Sequence, residues 1–207
     1  LAMHLLVTKR GNKKKYKIKP DDNSYDPIEL QHASSGVQTS SSLVTIPIYM
    51  AKHFSFEDAF QRATYDFLFK ANRLGDFSTN FDISKLKRWI HLHVEEAELC
   101  LFPDAQRLLI DTLVKTCFHN QEEDRQLTLM ITTHSPYIIN HLNVLLRRYA
   151  HHSEKAGIAP DSLGVYRIMD GSLQNLMGKD LTTGETVVNT IDLSETMNGI
   201  YQEYVSL

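Results

Sequence analysis

The chain is poor in cysteine. Its two thiols, Cys100 and Cys117, form no CxxC pair and no disulfide framework, which excludes a stapled secreted scaffold and fits a reducing, cytoplasmic setting. No apolar run approaches the about 20 residues of a membrane span, so no membrane association is expected. Nothing at the N-terminus has the charged, apolar and small-residue order of a signal peptide. The chain begins at Leu1 and not at a methionine, as a fragment or a processed chain would. Basic charge is not in excess: the formal net charge is -3, so no global field draws nucleic acid. Internal repeats are absent, and the serine cluster Ser34-Ser42 is the single low-complexity tract. No GxxxxGK[ST] occurs, and Gly178-Lys179-Asp180 lacks both the hydroxyl and the glycine spacing, so the sequence has no loop of the kind that grips phosphates.

What remains is ordinary globular material. Apolar residues make up 42% and charged residues 23% of 207 residues, enough for one domain or one lobe of a larger one. Residues 3 to 19 read as a hairpin about Gly11-Asn12, and Pro20 to Pro27 as a polar loop. A helix is expected from about Leu43, its start blurred by the serines and by Pro47. A second runs from Phe56 to Ala71, with Phe60, Ala63, Phe67 and Leu68 on its apolar face. Leu74 to Asp82 reads as loop. Trp89 to Val94 is a short strand ending in acids. Asp104 is expected to cap a helix through about Phe118, with Leu108, Leu109, Leu113 and Val114 inward. Gln121 to Asp124 reads as a solvated loop, and Leu127 to Thr133 as a second strand. Ser135 and Pro136 open another helix, to about Tyr149. Asp170-Gly171 turns a second hairpin, and a last helix covers Ile191 to Tyr204. This order predicts an α/β fold, a mainly parallel sheet flanked by helices on both faces, with a hairpin near each end.

Both polar clusters fall at carboxyl ends of predicted strands, where such sheets do their chemistry. Glu95 and Glu96 leave an apolar strand together. Neighbours on an extended backbone point to opposite faces, so one acid can serve a cation shell while the other faces a water. His134 lies between a strand end and a helix N-terminus, within reach of a phosphate oxygen held by the helix dipole. Ser34-Ser35-Gly36-Val37-Gln38 is a small-residue loop running towards a helix, with hydroxyls and backbone N–H groups that suit phosphate. Taken singly, each cluster also reads as an ordinary turn, a packed histidine or a linker.

In this order and spacing the clusters resemble the C-terminal part of an ABC-type, AAA-like ATPase head, closest to the branch with OLD-family, RecF and SMC-like proteins. Ala33 to Gln38 resembles the signature loop, Leu92 to Glu98 the Walker B strand and its acids, Leu99 to Gln106 the continuation L-H-P-x-x-Q, and Thr132 to Pro136 the switch-histidine motif. The likeness spans roughly residues 29 to 142. Ala97 stands where the pattern usually has proline, Phe102 where it has histidine, and His91 and His93 put polar rings in a strand that is normally aliphatic. The resemblance implies a P-loop NTPase-like C-terminal lobe without its Walker A lobe. It implies ATP and Mg²⁺ as cofactors, Glu95 on the metal, Glu96 on the attacking water and His134 on the γ-phosphate. Ser34, Ser35, Gly36 and Gln38 would bind nucleotide in trans, across a homodimer of ATP-sandwiched heads. A nuclease or effector protein and DNA are further partners of this branch, in defence or repair. On this reading residues 1–28 are a hairpin and loop, 29–150 the ATPase core, and 151–207 the C-terminal hairpin and helix of the same domain.

Three other readings stand beside it. The fold could serve as a non-catalytic protein-interaction module. His91, His93 and Glu95, at i, i+2 and i+4 of a strand, share one face and offer zinc ligands. The basic run Lys9 to Lys19 either touches a phosphate backbone or is a solvated hairpin tip.

Overall fold

A computed structural model describes residues 3–22, 24–73, 89–119 and 126–206. The expected loops at Leu74 to Asp82 and Gln121 to Asp124 lie outside them. The chain opens with the predicted hairpin, β1 (Met3–Arg10) and β2 (Lys13–Pro20), in register from Arg10 opposite Lys13 to Met3 opposite Pro20. Gly11 opens the turn with φ of 61°, a conformation that costs glycine nothing. A two-residue strand, β3 (Ile28–Glu29), pairs with β2.

Helix α1 (Ser35–Lys52) starts eight residues earlier than the sequence predicts. Ser34 is its N-cap, accepting the Val37 N–H at 3.4 Å. The serines that read as a linker turn their hydroxyls back onto the helix: Ser40 and Ser41 both donate to the Val37 carbonyl, at 3.3 and 2.7 Å. Pro47 sits inside the helix and is buried along with Ala51. Helix α2 (Phe56–Lys70) is capped by Ser55, but none of its residues is buried. Its predicted apolar face is a correction: Phe60 and Leu68 are half-buried, and Phe67 is 69% exposed.

Strands β4 (Trp89–Glu95) and β5 (Gln126–Thr132) form the parallel pair, with Glu95 opposite Thr132. Here the fold departs from a sheet covered on both sides. Burial alternates along β4: Ile90 and Val94 are buried, while Trp89, His91, His93 and Glu95 are exposed. Ile90 and Leu127 pack with Ala51 of α1 and Cys117, and Val94 shares a core with Leu109, Ile110 and Leu113, so among the described residues the helices cover one face. That pattern also explains the two histidines, which occupy the uncovered face. The parallel component is this one pair; the other three sheets among the described residues are antiparallel. The fold is mixed α/β, with a small parallel sheet and helices.

The N-cap position of helix α3 (Pro103–Phe118) is Phe102, not the expected Asp104, and the Phe102 side chain makes no capping hydrogen bond; Asp104 lies in the first turn and supplies the favourable charge there. Leu109, Leu113 and Val114 are buried as expected; Leu108 is exposed, and Ile110 and Cys117 take the inward places. Burial lifts the Cys117 thiol to about 11, so it stays a protonated core group. Helix α4 (Pro136–Ala150) keeps Ser135 as its cap and Pro136 at its first position. It packs on α3 through Ile138 and Leu145. The second hairpin, β6 (Tyr166–Met169) and β7 (Ser172–Asn175), turns on Asp170 and Gly171, both with positive φ as a type I′ turn requires. A further hairpin, β8 (Met177–Lys179) and β9 (Thr186–Val188), was not expected. Gly178 and Lys179 are therefore strand residues. Asn143 of α4 holds Val188 on both sides, donating to its carbonyl at 3.0 Å and accepting its N–H at 2.7 Å. Helix α5 (Ile191–Ser206) ends the chain as predicted.

Candidate functional site

The parallel register brings the two predicted strand ends together. Glu95 is the last residue of β4 and Thr132 the last of β5, so Glu96 and His134 leave adjacent strand ends. Glu95, Glu96 and His134 are all exposed. Among the described residues none of their side chains makes a hydrogen bond or ion pair. Glu96 has φ of 49°, an uncommon state for a residue with a Cβ, and its N–H points to Thr132 Oγ1 at 3.4 Å.

From Glu96 the backbone turns tightly. The Leu99 N–H donates to the Glu96 carbonyl at 2.9 Å and the Leu101 N–H to the Glu98 carbonyl at 3.0 Å. Cys100 also has positive φ, 61°. Ala97, fully buried beneath this turn, fills the position where the resembling pattern has proline.

Glu98 reads from the sequence as the last of the Walker B acids, with no role of its own. Its carboxylate accepts the Thr133 hydroxyl and the His134 backbone N–H, each at 2.6 Å. Burial pushes this carboxyl up, but the two hydrogen bonds outweigh it, helped by the nearby His134, and hold it below its ordinary value of 4.5. Thr133 Oγ1 in turn accepts the Ser135 N–H at 3.0 Å. Gln106 joins the same two loops from α3. It donates to the Leu101 carbonyl at 2.8 Å and accepts the Ser135 hydroxyl at 2.5 Å. The loop after β4 is thus fastened to the loop after β5 twice, at Glu98 and at Gln106. The acid run Glu95-Glu96-Ala97-Glu98 was the only signal for Glu98, and it did not reveal the partners.

Ser34, Ser35, Gly36 and Gln38 form the cap and first turn of α1, not a free loop. Gln38 donates to the Ala33 carbonyl at 2.7 Å, closing the capping turn. Gly36 presses on the loop after β4: a Cβ there would stand 2.4 Å from the Cys100 carbonyl oxygen. The predicted signature segment and the Glu96 loop are therefore neighbours within one chain.

Oxygen ligands of the Glu95 and Glu96 type suit Mg²⁺, which is commonly held by one or two carboxylates together with substrate phosphates and water. The fit to ATP is incomplete. Two cavities among the described residues lie elsewhere: about 90 Å³ between the first hairpin and α1, and about 280 Å³ between α4 and the β8–β9 hairpin. The zinc reading of His91, His93 and Glu95 is not supported. Among the described residues no three His, Cys, Asp or Glu converge on a metal, and His91 Nδ1 is taken up by Thr128 Oγ1 at 2.5 Å.

No protein-family model matches the sequence, and no curated protein matches it. A solved SMC ATPase structure, from work on ATP-driven dimerization and DNA-stimulated activation of those ATPases, aligns over 97% of this chain and 82% of its own, with 10% identity and a TM-score of 0.41. Likeness of that degree does not establish a family. Among the described residues no helix is long and apolar enough to cross a membrane.

Proposed function

We propose that the chain supplies the catalytic acids and the trans-acting loop of an ABC-type ATPase head, and that the phosphate-gripping lobe is provided from outside these residues. The observation that carries this is the pairing of the two strand ends, with Glu98 joining the Glu96 turn to the His134 backbone. Glu95 would hold Mg²⁺ through a carboxylate oxygen, and the ion would supply charge stabilisation at the phosphates. Glu96, unpaired and exposed, orients the attacking water and takes its proton. His134, held by its own N–H, presents its ring to the γ-phosphate and stabilises charge that develops there. The first turn of α1 leaves N–H groups without intrahelical partners, and Ser34 and Ser35 add hydroxyls. This end of the helix closes over ATP bound to a second head, giving a cytoplasmic homodimer whose opening follows hydrolysis. A nuclease or effector protein, or DNA, would then feel the change.

The test is Glu96→Gln in the assembly of this chain with a phosphate-loop lobe. Turnover should stop while ATP-dependent dimerisation persists; hydrolysis at the unaltered rate defeats the assignment. The chain alone should hydrolyse ATP poorly or not at all. A second reading, a non-catalytic interaction module, draws on the exposed aromatic rings of α2, Tyr65, Phe67 and Phe69. Nucleotide binding by the same assembly separates the two.

A further inference from the structure

Charge in this chain is segregated. Seven of its 22 Lys and Arg and none of its 25 Asp and Glu lie in residues 1–20, leaving 15 against 25 in the remainder. The register of the first hairpin decides where those cations go. Ile18 is buried, and with Leu5 opposite it lines the groove against Val37 and Val44 of α1. Side chains alternate across a strand, so Lys13, Lys15, Lys17 and Lys19 all stand on the other face. Arg10, opposite Lys13, joins them. The result is a ridge of five cations running the length of a β-ribbon, on the side turned away from α1.

Two acids approach it. Glu29 holds Lys15 at 2.9 Å, stands opposite Lys17 in the register, and is lowered by the Lys15 bond and by the charges of Lys15 and Lys17. Asp21 lies 3.0 Å from His4. Five cations of the ridge therefore meet two carboxylates, an excess of three positive charges. Tyr16 lies on the opposite face, so the ridge has no aromatic platform on which single-stranded bases would stack. Evenly spaced cations along one face of the hairpin suit the phosphate backbone of a duplex. The net negative remainder of the chain repels the same polyanion, so approach is oriented to this face.

We propose that the lysine face of the first hairpin is a sequence-independent binding surface for double-stranded DNA. The inference is independent of the ATPase reading. Anisotropy titrations of this chain with a labelled 30-base-pair duplex, from 50 to 200 mM salt, test it. Three phosphate contacts weaken binding about fortyfold over that range. Lys13→Gln with Lys17→Gln should flatten the log–log salt slope by about 2. Lys9→Gln with Lys14→Gln removes the same charge from the opposite face and should change the slope far less. Lys13→Arg with Lys17→Arg should retain binding, which separates lost charge from lost folding. Equal losses from the two Gln pairs would show attraction by net charge alone and overturn the proposal. So would undetectable duplex binding at 50 mM salt, or salt-sensitive self-association abolished by the Lys13/Lys17 pair, which would assign the ridge to a second copy of the chain.

Discussion

Gly36→Ala puts the geometry of the candidate site to a direct test. An alanine Cβ at this position would meet the Cys100 carbonyl oxygen at 2.4 Å, with Leu101 Cδ2 at 3.5 Å. The oxygen belongs to backbone, and to a turn whose Cys100 is already in the left-handed region, so it cannot swing aside as a side-chain tip would. Relief requires α1 and the turn to separate. Overpacking of this kind costs about 1–3 kcal/mol. Against it stands the helical preference of alanine over glycine, at most about 1 kcal/mol and less in a first turn. The net expectation is a loss of about 1–2 kcal/mol, or a fall in Tm of about 2–8 °C for a chain of this length. Urea unfolding and calorimetry would measure it. Gly178→Ala is the control, because nothing lies within 4 Å of a Cβ there and its φ is not positive. An alanine at 36 that left the protein as stable as before, or more so, would refute the close approach and return Gly36 to a purely trans-acting role.

Asn143→Ala should cost about 1–3 kcal/mol, since it strips the carbonyl and the N–H of Val188 of their side-chain partners. Faster hydrogen exchange at the Val188 amide, and earlier cleavage of the β8–β9 hairpin by protease, would report it. The Glu98 carboxyl is held below 4.5, so its contribution to stability is complete above pH 4.5 and disappears as pH falls through the lowered value. The stability gap between the wild type and Glu98→Gln should therefore be largest above pH 4.5 and shrink below it. A gap that widens on acidification would contradict the bonds to Thr133 and His134.

Much of the fold could be read locally. Ser135-Pro136 and Asp170-Gly171 carry their own backbone instructions, and both act where the sequence places them. The failures are non-local. The serine tract after Ser34 looks like a linker because its propensity is weak. It is helical because Ser34 caps its start and Leu43, Val44 and Ala51 pack its face against the core. Strand β5 reads as nearly all apolar, yet Met130 is 53% exposed, since burial depends on which face the helices cover. Glu95, Glu96 and His134 were legible as strand-end residues. Glu98 was not, because its two donors lie 35 and 36 residues away.

The Glu96 turn needs this long-range support. Glu96 and Cys100 both hold left-handed backbone without being glycine, at a cost of about 1–3 kcal/mol each unless the surroundings fix them. Three contacts from three elements do so: Glu98 on Thr133 and His134 of the loop after β5, Gln106 of α3 on Leu101 and Ser135, and Gly36 of α1 on Cys100. All three act on the same short turn, so they should not be energetically separate. Once Gly36→Ala has displaced the turn, Glu98 no longer meets its donors squarely, and removing its charge costs less. The double variant Gly36→Ala with Glu98→Gln should therefore lose less stability than the two single variants together, by about 0.5–3 kcal/mol, the range for residues sharing a network. Strict additivity in urea unfolding would mean that the α1 end and the His134 loop grip the Glu96 turn independently.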